Sequence, residues 1–207
     1  MSLTDILAAV YVILGILLLR HITGILPSLP NCLLRWKECL NLENSVRLSQ
    51  DRNIFAAYLT VPFCLGVSEY RLYAPAFLDG MDEPAYTGCI CAVFAGYLVL
   101  RAVPHIMIRK PKCGEKMFKS AGHVSFSFFC ILVTVVLIEA GICSFTDVSA
   151  DISRPLLLYT MLAVYLVSIF RKFQIFSNSC SFLSSFLYLC ALEILPTGIL
   201  VLSAVFL

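Results

Sequence analysis

The sequence predicts an all-α polytopic membrane protein, and three observations carry that prediction. Hydrophobic residues make up 60% of the 207-residue chain and charged ones only 14%, where a soluble domain is about a quarter charged. The apolar residues come in blocks of about 16 to 25, long enough to cross a ~30 Å hydrocarbon core at ~1.5 Å per residue. Backbone groups in lipid must be satisfied within the segment, so helices are the default, and the ~10-residue alternation of barrel strands is absent. Mean hydropathy is +0.91.

Six spans emerge, at about Leu3–Leu19, Ile54–Tyr70, Ala85–Val103, Val124–Phe145, Pro155–Phe170 and Phe182–Leu207. Together they read as a single transmembrane helical domain over residues 1–207. The opening segment, MSLTDILAAVYVILGILLLRH, resembles a signal peptide only in hydropathy. It lacks a positive n-region, carries Asp5, and ends in Arg20 and His21 without a small-x-small cleavage site. It reads as a retained first helix.

Basic residues set the expected orientation. Arg20, Arg35, Lys37, Arg47 and Arg52 follow the first span. Arg101, Arg109, Lys110, Lys112, Lys116 and Lys119 surround the end of the third, and Arg171 and Lys172 follow the fifth. That puts thirteen of the fifteen basic residues on one side, with Arg71 and Arg154 opposite. The opposite loops hold Asp79, Asp82, Glu83, Asp147 and Asp151. The positive-inside rule therefore expects both termini on the periplasmic side and the first, third and fifth loops in the cytoplasm.

The first cytoplasmic loop contains NCLLRWKECLNLENSVRLSQDRN. It places Leu33, Trp36, Leu40 and, loosely, Val46 on one side. This predicts a short amphipathic helix, either lying in the interface with Trp36 at headgroup depth or covering the end of the bundle. The third loop, RKPKCGEKMFK, is a basic cluster with turn residues Pro111 and Gly114, and reads first as a topology determinant. Most of the ten cysteines lie in apolar blocks, where cysteine acts as a small hydrophobe.

The third span holds Gly88, Ala92 and Gly96, small residues four apart that form a helix-packing groove. Its partner is either another helix of this chain or a second copy. Glu69, Glu139 and Glu193 sit in or at the ends of spans, with Glu193 expected nearest mid-membrane. A carboxylate at that depth costs ~2.5–3.5 kcal/mol or more, so it should face protein or water and be paired or protonated. By depth alone, its candidate donors are Tyr11, Thr134 and Thr160, while Arg71 is placed to meet the outer acids. Such carboxylates serve ion or proton pathways, or make packing hydrogen bonds worth ~0.6–2 kcal/mol.

Near Glu193, Pro196 has no N–H, so the carbonyl of Leu192 should lose its i−4 partner and the helix should kink. Glu193 and Thr197 lie one turn apart beside Pro196, with Cys190 and Phe186 continuing that face. These residues form the candidate intramembrane polar site. His21, His105 and His123 fall at cytoplasmic ends of spans. They show no His-x3-His spacing, and no metal or cofactor is expected. P-loop, Gly-x-Ser-x-Gly, His-Glu-x-x-His and dinucleotide fingerprints are absent, so the reading leans away from an enzyme without deciding it, and nothing points to nucleic-acid binding. Expected partners are the lipid bilayer and a second copy or another membrane protein.

The run FLYLCALEILP, Phe186 to Pro196, resembles the C-terminal signature of a Bacteroidetes family of small multi-pass membrane proteins, domain of unknown function 4271. The resemblance implies a helical bundle in a bacterial inner membrane, with Leu189, Cys190, Glu193 and Pro196 belonging to the family's pattern. It implies no activity, substrate or cofactor. Three readings of function follow from the sequence: an accessory or scaffold component, a small transporter or ion pathway centred on Glu193 and the proline-broken helix, and, least favoured, a membrane-embedded enzyme or haem protein using the cytoplasmic-end histidines.

Overall fold

The computed structural model describes residues 3–78, 80–107, 115–146, 148–178 and 180–206. The basic cluster Arg109, Lys110 and Lys112, with Pro111 and Gly114, lies outside them, as do the side chains of His105, Lys116 and Lys119. Among the described residues every regular element is helical. In order these are α1 (Leu3–Ile25), α2 (Ser28–Leu34), α3 (Trp36–Asn44), α4 (Val46–Glu69), a 3₁₀ turn (Ala76–Leu78), α5 (Glu83–Met107), α6 (Glu115–Phe145), α7 (Ala150–Ser177) and α8 (Phe182–Leu189). A π-helical turn (Cys190–Ile194) then leads directly into α9 (Leu195–Phe206).

All six expected spans fall on helices, but not all of those helices qualify as spans. Four are long and apolar enough to cross a membrane: α5, α6, α7 and the α8–π–α9 unit. A fifth qualifies if α1 and α2, bent by 42° at their junction, count as one. The expected second span, on α4, falls short for a compositional reason. Its apolar stretch, residues 54–67, is 14 residues long, about 21 Å of helix, and is bounded by Asp51, Arg52 and Asn53 before it and Glu69 after it.

The α1–α2 bend follows from Pro27, which disfavours helical geometry at Leu26. Ser28 then donates its hydroxyl to the Ile25 carbonyl at 2.6 Å. A second break falls at Arg35, whose backbone is extended (φ −138°, ψ 121°). The segment after α1 thus forms two short helices, α2 and α3, of which α3 covers the expected short amphipathic helix. Leu29, Cys32, Cys39 and Leu42 are buried, and Leu33, Trp36 and Leu40 pack against the core. Val46 stands outside it, 74% exposed at the start of α4. Arg171 fastens this cap: its Nε and Nη2 donate to the carbonyls of Leu33 and Leu34, each at 2.9 Å, and its Nη1 to Gln174 at 2.8 Å. These are the carbonyls that the end of α2 leaves without helical partners.

Helix α6 is central, packing against α4, α7 and the α2–α3 cap. Its buried face, Phe118, Ala121, Val124, Phe128 and Ile131, meets Cys39, Leu42, Phe55, Ile175 and Phe176 at the basic end of the bundle. Midway, Phe63 of α4, Phe94 of α5 and Phe129 of α6 pack with centroids 5.3 to 5.6 Å apart, Phe94 stacked on Phe129 and Phe63 tilted or edge-on to both. Helix α1 rests on α4 through Tyr11, whose ring lies 4.4 Å from that of Tyr58. Among the described residues eight cysteines carry free thiols, and Cys180 is disulfide-bonded.

Candidate functional site: an ion cluster joining four helices

In hydrocarbon, lipid tails are as apolar as leucine, so helices are held by close packing and by polar contacts between them. The polar contacts therefore show what organises the bundle. The largest group of them centres on Glu193, which the π turn presents.

Pro196 cannot donate to the carbonyl four residues earlier, and the ladder adjusts just before it. The N–H of Leu195 bonds to the carbonyl of Cys190, five residues back. This inserts one extra residue into the turn and resets the inward face. Before the turn the buried residues are Ser185 and Leu189; within it they are Leu192 and Glu193, and just after it Pro196. Phe186, expected on the face of Glu193, is instead 49% exposed, because face assignment by ordinary helical spacing fails across the inserted residue.

Around Glu193 the four long apolar helices each supply one group. Arg101 of α5 places Nη2 at 2.6 Å from both carboxylate oxygens. Lys172 of α7 places Nζ at 2.6 Å from Oε1. Ser125 of α6 accepts from Lys172 at 2.5 Å and also from Arg101 Nη2, and donates to Glu193 Oε1 at 3.3 Å. Lys172 is 1% exposed, Glu193 6% and Arg101 19% at the side chain. The hydroxyl of Tyr165 donates to the backbone carbonyl of Glu193 at 3.2 Å, and the hydroxyls of Thr197 and Tyr97 lie 3.3 Å apart beside it. A carboxylate in a low-dielectric interior needs such charge-assisted partners, and here it has two cations and a hydroxyl.

The donors expected from depth are elsewhere. Tyr11 donates to the Tyr58 carbonyl at 2.7 Å, Thr160 donates to Glu139 at 3.0 Å, and the buried Thr134 hydroxyl has no partner among the described residues. Depth alone failed because the true partners are long. Both basic residues were assigned to the ends of spans, and each extends its chain back into the bundle. The signal was in the sequence: Arg101 and Lys172 follow their apolar blocks without any intervening turn residue.

The three glutamates do not form one cluster. Glu139 has Thr160 on Oε1 and a buried Oε2 with no partner among the described residues. Glu69 is exposed at the end of α4. Arg71, which follows it with a left-handed backbone (φ 45°), lies 5.6 Å over the ring of Tyr86 and makes no ion pair with Glu69 among the described residues. The small-residue ladder is also not filled by this chain. Gly88, Ala92 and Gly96 are exposed, and a Cβ on either glycine would meet nothing within 4 Å.

A second charged group lies in the cap. Arg52, fully buried, pairs with Glu43, whose side chain is 4% exposed. It also donates to Asn53 at 2.8 Å and faces the Phe126 ring at 5.7 Å. Burial pushes the Arg52 guanidinium down to about 10, so it is charged at neutral pH. His21 meets Asp51 at 2.6 Å, joining the end of α1 to α4. Among the described residues no group of three or more His, Cys, Asp or Glu is placed to hold a metal ion.

The fold and this site define a class: an all-helical protein with four to five helices of membrane-crossing length, joined by a buried ion cluster. The family model for domain of unknown function 4271 matches residues 37–202, and the chain belongs to that family. No curated protein and no solved structure matches the chain.

Proposed function

We propose that this chain is an accessory or scaffold component of a bacterial inner membrane, in which the Glu193 cluster is a joint that fixes four helices. The observation that carries this is the saturation of Glu193. Oε1 receives Lys172, Ser125 and Arg101, and Oε2 receives Arg101. A carboxylate so occupied, beside two cations, offers a transported cation neither lone pairs nor a favourable field. The exposed ladder Gly88, Ala92 and Gly96 supports the same reading, because a helix of a second copy or of another membrane protein has room to approach there. Purification in mild detergent tests it. A stoichiometric partner or a defined oligomer is expected, and a monomer that brings down nothing overturns the reading.

A second reading, an ion or proton pathway, is favoured by the hydroxyls of Tyr165, Thr197 and Tyr97, which continue outward from Glu193. On that reading Glu193→Gln abolishes flux in proteoliposomes while the protein stays folded.

The topology that fits both readings has six spans, with α4 seated as a short span, one transmembrane domain over 1–207, and both termini periplasmic. It is supported by thirteen of fifteen basic residues on one side. The disulfide at Cys180 pulls the other way, since reducing compartments keep thiols reduced. Alkylation of single-cysteine variants from either face of the membrane decides between the two orientations.

A further inference from the structure

The junction at Glu193 does not balance its own charge. Arg101 and Lys172 bring two positive charges, Glu193 brings one negative, and among the described residues no other carboxylate contacts any of the three. Both cations are largely removed from water. An excess charge in such a place is unfavourable unless something answers it.

The two cations are not equally placed. Lys172 is enclosed at 1% exposure and is spent on Glu193 and Ser125. Arg101 is the open one, 19% exposed at the side chain, and it engages its partners through Nη2 alone. Its Nε and Nη1 donors carry no hydrogen bond among the described residues. Unspent guanidinium donors beside an uncompensated positive charge are the components of an anion site.

We infer that this face of Arg101 binds one small monovalent anion, of the chloride class, which completes the charge balance of the four-helix junction. The inference rests on the reading of Glu193 as a joint and adds a ligand to it. Exchange of the anion then tightens or loosens contact among α5, α6, α7 and the π turn.

Thermal unfolding of the purified protein in detergent tests this, followed by fluorescence of Trp36, the single tryptophan, which packs against the core. Sodium chloride is exchanged for sodium gluconate at constant ionic strength, so that screening is unchanged. The Tm should rise saturably with chloride. Lys172→Met makes the cluster neutral and should abolish the chloride response. Glu193→Gln raises its charge and should lower the half-saturating chloride by about tenfold or more, as expected for one added unit charge at close range. Should Lys172→Met not fold, Glu193→Gln decides. A wild-type Tm indifferent to chloride, a response retained in Lys172→Met, or an unchanged half-saturation in Glu193→Gln overturns the inference. A lowered Tm of Glu193→Gln in gluconate tests the joint separately, so the anion can fail while the joint stands.

Discussion

Lys172 and Glu193, 21 residues apart in sequence, meet at 2.6 Å with the ammonium wholly enclosed and the carboxylate nearly so. Glu193 cannot be removed without stranding two cations. Its loss leaves Arg101 and Lys172 buried without a counter-charge, typically at ~3–5 kcal/mol, whereas loss of Lys172 leaves Glu193 paired with Arg101 and Ser125 and costs less. Glu193→Gln should therefore lower the denaturation midpoint in detergent sharply and Lys172→Gln by less, and the double variant should fall short of their sum. Additive losses would show that the two side chains do not depend on one another.

This pair also marks where sequence reasoning reaches its limit. Hydropathy located the helices because long apolar blocks in lipid have few alternatives to helix. It also singled out Glu193, Pro196 and Thr197, because a charge and a proline in such a block stand out against their surroundings. The partners were hidden for a geometric reason. Span assignment places Cα atoms by depth, but arginine and lysine carry their charge about 6 Å or more from Cα on flexible stems. Arg101 and Lys172 therefore counted as loop charges while their heads lie inside. The π turn was hidden too, since Pro196 announces a lost hydrogen bond without saying whether the helix will bend or take in a residue. For the loop before α4 the sequence left two alternatives, and the structure fits the one in which it covers the end of the bundle: Leu33, Trp36 and Leu40 pack against the core, with α2 and α3 on α6 and α7.

The Arg52–Glu43 pair gives a prediction about the cap. Arg52→Ala leaves the Glu43 carboxylate buried without its cation, and a loss of ~3–5 kcal/mol is expected. Its pH dependence has a definite sign. Burial lowers the guanidinium to about 10 in the folded chain, against ~12.5 or above in the unfolded one. The unfolded state therefore binds that proton more tightly, and its contribution to stability rises with pH only above about 10. The loss in Arg52→Ala should therefore persist across neutral pH, measured by unfolding at matched ionic strength, and an undiminished midpoint in Arg52→Ala would show that Glu43 does not need this cation.

Arg171 tests whether α2 depends on α7. Three donors of one guanidinium reach Leu33, Leu34 and Gln174 in a fixed fork, which a lysine ammonium cannot reproduce. Arg171→Lys keeps the charge but should free the end of α2, with faster amide exchange over residues 29–34 and a global loss of roughly 1–2 kcal/mol. Protection over that segment equal to wild type would show that core packing of Leu29 and Cys32 alone holds the cap.

Close packing between α1 and α4 rests on one glycine. A Cβ built on Gly15 would come within 2.6 Å of the Tyr58 hydroxyl, and Tyr58 is also the residue on which Tyr11 stacks. Gly15→Val should therefore part the two helices. Gly15→Val should lower the denaturation midpoint in detergent, and Tyr58→Phe, which removes the clashing hydroxyl, should restore part of the loss. A midpoint in Gly15→Val equal to wild type would show that Tyr58 can swing aside at no cost.

Pro196 and the ion cluster both favour the π turn, and magnitudes decide which one holds it. Replacing Pro196 by alanine restores a backbone donor, and an ordinary backbone hydrogen bond contributes a net ~0.5–1.5 kcal/mol. Against that stand charge-assisted bonds from Arg101 and Lys172 to Glu193, each ~1.5–3 kcal/mol. Closing the turn to regular α-helix would rotate Glu193 by about 100° relative to one flank and break them. The cluster should win. Pro196→Ala alone should leave amide protection over residues 190–198 close to wild type and change stability by less than about 1 kcal/mol. In a Glu193→Gln background the same substitution should let the turn close, and protection over that segment should rise. A large loss in Pro196→Ala alone would assign the turn to the proline, with the ion cluster as its consequence.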